Sequence, residues 1–238
     1  GIWALHPIVV EGVAWCSNLK ELLYTSALFA ALLFWDRFLE SEARSRRLGG
    51  AVLAALLLGF ASKPTMLVAP VAMLVLGVVR HKEVMRQKGA LVIQILGLVW
   101  SAGWWWLSTR MHNEGLLGES AANFATRDYG VTVLKSVGLQ VWHWINPTTL
   151  QPYYPEQLVA FDAFAILGGL ASLGWIAGVV WAWRKSHWSL TPLLLLGVCW
   201  APYSNLSPLP RFTADTYMYA ASALVAVILA GSVWRLAS

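Results

Sequence analysis

Residues able to do chemistry collect in a few short blocks of an otherwise apolar sequence. The opening block, ALHPIVVEGVAWCSNLKELL (Ala4 to Leu23), carries His6, Glu11, Lys20 and Glu21. Lys63 stands in a Ser-Lys-Pro junction between two apolar runs, Tyr153 and Tyr154 lie in NPTTLQPYYPEQ, and Arg211, Asp215, Tyr217 and Tyr219 follow within RFTADTYMY. Ionisable groups at the ends of membrane helices are costly unless paired, hydrated or used, so the set is a candidate site. The chemistry it suits is transfer of a group from a lipid-linked phosphate donor whose tail lies in a groove between helices. Charge grows on the phosphate as its bond breaks, Lys63 and Arg211 are the cations to neutralise it, and a carboxylate is the group to activate an acceptor. Glu11 and the Lys20/Glu21 pair can close a charge network across helix ends, with Glu11 and His6 organising the site. Each residue also has an ordinary reading. Lys20 and Lys63 suit lysines reaching for the interface, His6 before Pro7 suits the cap of a turn, and Asp215 and Asp162 suit helix N-caps.

The elements that must position these groups follow from composition. Of 238 residues, 58% are hydrophobic and 12% charged, with mean hydropathy +0.59; soluble domains carry about 25% charge. The expected class is an all-α, polytopic integral membrane protein, because a soluble helical domain of this composition would have to bury nearly every helix on all faces. Seven transmembrane stretches stand out: Leu22–Trp35, Leu48–Ala61, Thr65–Val79, Gly89–Thr109, Val159–Trp183, Trp188–Tyr203 and Ala214–Trp234. The second and third, read as one helix, would run about 48 Å, and the residue before Pro64 is steered away from helix, so a hairpin turn is expected at Lys63. Val131–Trp144 is broken by Lys135, Gln140 and His143, and is expected as an interfacial or re-entrant helix.

Alternating seven spans sorts the charges. One side takes Asp36–Arg47, Arg80–Lys88, Arg184-Lys185 and Arg235, eleven Lys/Arg against four acids; the other takes six against eight. The first side is therefore expected to be cytoplasmic and the candidate site external or periplasmic, in an inner membrane of bacterial type. The excess of basic residues then reflects topology, and nucleic acid is not an expected partner; membrane lipids are. Most of the fifteen tryptophans suit interfacial belts. Cys16 and Cys199 lie far apart without metal-ligand spacing, and no zinc site or disulfide is indicated. Walker A, GxSxG, HExxH and CxxCH motifs are absent from the sequence, so no cofactor is evident. No internal repeat appears, and residues 1–238 are expected to form a single helical membrane domain, part of a longer chain because the sequence opens without methionine.

Four blocks carry a resemblance. ALHPIVVEGVAWCSNLKELLYTSALFAALLFW is similar to the Leu-His-Pro-x-His-x-Glu-x-Val-Ala-Trp segment, followed by Arg-Lys-Asp/Glu-x-Leu, of bacterial relatives of the transmembrane and tetratricopeptide-repeat glycosyltransferases. ASKPTMLVAPVAMLVL resembles their Ala-Lys-Pro hairpin, WINPTTLQPYYPE their Pro-x-x-Leu-x-x-x-Tyr-Pro, and ADTYMYAASAL their Ala-Asp-Arg-Tyr-x-Tyr-x-Pro. The resemblance implies a GT-C-like membrane fold and transfer of a sugar from a polyprenyl-phosphate carrier at the non-cytoplasmic face. His6, Glu11, Lys20, Glu21, Lys63, Tyr154, Asp215, Tyr217 and Tyr219 occupy matching positions. Val9, Leu19 and Thr216 stand where the family writes histidine, arginine and arginine, and the family's catalytic acid is expected upstream of Gly1. These departures support a second expectation, a catalytically inactive relative serving as a structural transmembrane subunit that packs against partner helices, lipid or pigment.

Overall fold

The computed structural model describes residues 6–10, 16–41, 45–113, 129–150, 161–185, 187–206 and 214–237. Among them are eight α-helices and no strand: α1 Leu19–Glu40, α2 Arg46–Ser62, α3 Ala69–Arg80, α4 Lys88–Asn113, α5 Tyr129–Ile145, α6 Ala163–Arg184, α7 Leu190–Trp200 and α8 Tyr219–Ala237. Each stretch marked as apolar in the sequence is helical over most of its described residues, and so is the interrupted Val131–Trp144. Three helices are long and apolar enough to cross a bilayer by length and composition: Leu19–Glu40, Lys88–Met111 and Ala163–Arg184. Pro64–Arg80, Leu190–Tyr203 and Tyr219–Arg235 are apolar but shorter. The chain divides into two compact units, one of Leu19–Gly118 and one of Gly1–Asn18 with Glu119–Ser238.

The first unit holds α1 to α4. Its core is the face of α1 carrying Tyr24, Leu28, Ala31 and Trp35, against Val52, Leu56 and Phe60 of α2 and Ala72 and Met73 of α3. Small residues allow close approach: the Gly49 Cα faces Phe38 and Ile93, and a Cβ at Gly97 would come within 3.1 Å of Pro70. The helix breaks where expected at Lys63, whose backbone is extended at φ −155°, ψ 138° before a short 3-10 turn, Pro64–Val68. Neighbouring side chains then tie this broken segment down: the Trp35 indole donates to the Met73 carbonyl at 2.9 Å, Gln94 to Pro70 at 2.7 Å and Ser101 to Leu67 at 3.3 Å. At the far end of α1, Asp36 accepts from Arg80 at 2.7 Å and pairs with His81 at 2.9 Å, fastening α1 to the end of α3.

The second unit holds α5 to α8 and the short 3-10 turns Pro7–Val9, Cys16–Asn18, Pro147–Thr149, Ala201–Tyr203 and Asp215–Met218. Here α5 and α6 cross with their backbones in contact. A Cβ on Gly138 would collide with the Phe164 carbonyl, and one on Gly168 with the Leu134 carbonyl. The opening turn Pro7–Val9, with Ile8 and Val9 buried, packs against the Asp215–Met218 turn.

Candidate functional site

The expected site residues fall into two groups, one in each unit. In the first, Glu21 lies near the start of α1, where it is 2% exposed, and Lys63 reaches it from the break that separates α2 from the Pro64–Val68 turn to form a direct ion pair. The break makes this possible: an unbroken helix through residues 62–64 would carry Lys63 on a helical surface, whereas the extended residue projects between elements. Burial pushes the Lys63 ammonium down to about 7, and the neighbouring Lys20 adds repulsion. Its proton is consequently exchangeable near neutral pH, while Glu21 keeps a counter-charge in a place that would otherwise expel it.

Lys20 itself is exposed and lines a groove of about 780 Å³ between α1 and α2. Leu23, Ala27, Ala30, Ala54 and Leu58 form its apolar walls, with Lys20 and Ser62 at the same end. The alanines of the two helices leave this trough open. The arrangement offers an apolar channel for a chain and a cation at its mouth, above a buried acid–base pair.

The second group is built on α5. His6 stacks on Trp144, ring centroids 5.2 Å apart and 8° from parallel. Its Nε2 donates to the Trp144 carbonyl at 2.8 Å, while Nδ1 accepts from the Ile8 N–H at 3.2 Å. Both ring nitrogens are thus engaged in holding the opening turn to the end of α5, and His6 caps that turn, as its place before Pro7 allowed. Tyr217 is half-buried and stacks on Tyr203 at 5.1 Å, and Tyr219 is buried at the start of α8. Glu11, Tyr154 and Arg211 lie outside the described residues, as does the side chain of Asp215.

Sequence reasoning passed over the polar face of α5 itself. Thr132, Lys135, Ser136, Gln140 and His143 are all buried, and they recur at three- and four-residue spacing, one stripe of a helix. Gln140 donates to the Tyr203 carbonyl at 2.6 Å and accepts from the Trp200 indole, and Asn205 donates to Ser136 at 2.8 Å. Asn205 sits in the left-handed region at φ 58°, which an asparagine tolerates better than most residues. Lys135 ion-pairs with Asp162 at 2.7 Å, and Asp162 also caps α6 by accepting from the Phe164 and Ala165 N–H groups. Desolvation opposes ionisation of Asp162, but the bond from Lys135 and the two backbone donors outweigh it and hold the carboxyl below the usual range. The signal that finds this stripe is the helical period of the polar residues that made Val131–Trp144 a poor span.

One set of metal-type donors occurs among the described residues, Asp36, Glu40 and His81, with ligand atoms within 4.8 Å of one another. The Arg80 guanidinium already sits on this set, 2.7 Å from Asp36 and 3.9 Å from Glu40, in the place a cation would take. No protein family, curated protein or solved structure matches the chain.

Proposed function

We propose that this chain is a membrane glycosyltransferase-like protein of GT-C type, which takes a sugar from a polyprenyl-phosphate carrier at the non-cytoplasmic face. The observation that supports it is the groove between α1 and α2: apolar along its length, with the exposed Lys20 at the end where Glu21 and Lys63 are paired. An isoprenoid tail needs such an apolar trough, and its phosphate needs a cation at the trough's mouth. Lys63 is committed to Glu21, so direct phosphate contact falls to Lys20, and Lys63 acts by keeping Glu21 ionised and in place. The test is uptake and turnover of a labelled polyprenyl-phosphate sugar by the full chain and by Lys20→Met. Losing one charge-assisted contact should lower carrier affinity about tenfold or more. No carrier binding by the unaltered chain, or equal binding by the variant, refutes the reading.

A second reading, a structural transmembrane subunit, is favoured by α6. Only 11% of its most apolar window is buried within the chain, so a broad exposed face, with Leu170, Leu173, Ile176 and Val180, is offered to lipid or to partner helices. Stoichiometric co-purification with other membrane chains, without carrier turnover, would select it.

A further inference from the structure

Independently of that reading, the end of α6 brings two cations, an apolar groove and a run of aromatic rings together. A groove of about 690 Å³ runs along α6 past Leu173, Ile176, Ala177, Val180 and Trp181 and ends at Arg184 and Lys185. From Trp181 a run of tilted ring contacts leads to His187, centroids 4.7 Å apart, and on to Trp188 at 5.5 Å. Arg235, in the last turn of α8, lies over the Trp188 ring with Cζ 5.5 Å from its centroid. The Trp188 ring is seated on Gly231, where a Cβ would collide with it, so the cation of α8 is held beside the end of α6 and not left to wander.

Arg184 and Lys185 stand at the end of this groove, and Arg235 lies over the neighbouring Trp188 ring. Asp162 and Asp215 are the only acids in the sequence from residue 161 onward, and each stands before the start of its helix, at the other end from Arg184 and Arg235. Among the described residues, Arg184 and Lys185 enter no ion pair. The C-terminus of α6 offsets roughly half a charge, which leaves most of the positive charge of Arg184 and Lys185 uncompensated beside an apolar groove. The Trp188 indole N–H, in the same run of rings, also lacks an acceptor among the described residues.

We infer that this groove binds an anionic glycerophospholipid, its phosphate held by Arg184 and Lys185 and one acyl chain lying along α6. Charge selects the occupant. A zwitterionic lipid brings its own cation to the arginine–lysine pair, and a neutral partner helix leaves the pair uncompensated, whereas a headgroup with net negative charge satisfies both. The packed aromatics give the glycerol region an amphipathic wall.

The test is native mass spectrometry of the purified full chain given equal amounts of phosphatidylglycerol and phosphatidylcholine with identical acyl chains. The expected result is selective retention of phosphatidylglycerol. Arg184→Gln with Lys185→Gln should weaken that adduct about 30-fold, the equivalent of about 1 kcal/mol for each cation. Arg184→Lys with Lys185→Arg should keep it, and Arg46→Gln with Arg47→Gln, which removes two exposed cations from α2, should leave it unchanged. No preference between the lipids overturns the inference. So does an equal loss on removing Arg46 and Arg47, which would make the effect one of overall charge, or release of a second copy of the chain instead of lipid.

Discussion

Replacing Lys63 by methionine isolates what the buried pair contributes. The change keeps the apolar stem and removes the ammonium, leaving Glu21, 2% exposed, without its direct partner. The carboxyl then has to take up a proton to remain buried. From an ordinary glutamate value of about 4.3, protonation at pH 7 costs close to 3.7 kcal/mol at about 1.36 kcal/mol per pH unit. Attraction to Lys20 lowers this somewhat, so a loss of about 3 kcal/mol is expected, within the range for breaking a buried pair. The sign has two parts. In Lys63→Met the native state keeps a carboxyl proton that the unfolded state releases above about pH 4.3, so the deficit grows with pH and shrinks on acidification. Above about 7 the unaltered chain also gains stability, because native Lys63 releases a proton its unfolded state keeps, and the deficit widens further. It should fall to about 1 kcal/mol at pH 5. For a chain of this size each kcal/mol moves the melting temperature by about 2–4 °C, so thermal unfolding of the full chain in detergent at pH 5 to 8 resolves it. Adding Glu21→Gln to Lys63→Met should recover most of the loss and abolish its pH dependence. A deficit under about 1 kcal/mol at pH 7, or one that does not shrink in acid, would falsify the assignment of a buried, mutually dependent pair.

Two further outcomes can be checked by the same unfolding assay. Gly138→Ala and Gly168→Ala should each cost about 3 kcal/mol or more, because the new methyl meets backbone and no flexible side chain can yield; the double variant should cost less than both together, since one methyl already parts the helices, while Gly169→Ala, with nothing near its Cα, should be neutral or slightly stabilising. Asp162→Ala should cost about 1–2 kcal/mol by removing the α6 cap and the ion pair to Lys135, whereas Asp162→Asn keeps the cap and should lose less.

Helix positions were readable because apolar runs and their breakers are local. Lys63 before Pro64 marked its break, and Asp162 and His6 were recognisable as caps from the residues next to them in the chain. Pairings were not readable. Nothing in the local sequence links Glu21 with Lys63, or Lys135 with Asp162, since the pairing depends on which helix faces come together. The polar stripe of α5 misled in an instructive way: Lys135, Gln140 and His143 read as interruptions of an apolar span, although their spacing places them on the one face that is packed and hydrogen-bonded within the protein. In water a helix turns its polar face outward; with lipid as the solvent that preference reverses, and period alone does not tell which side is in. The place of Lys63 in the sequence suggests a phosphate cation; that Lys20 lines the groove is visible only in the fold.

The inverted face of α5 has a consequence for biogenesis. A segment carrying Lys135, Gln140 and His143 on one stripe partitions poorly from the translocation channel into bare lipid, where each of those groups would be unsolvated. It becomes lipid-compatible only once Asp162 and the Trp200–Asn205 turn are present to receive that stripe. Those partners are translated later, so the polar stripe of α5 stays unsatisfied until α6 and α7 have emerged, and the second unit can complete these contacts only as a group.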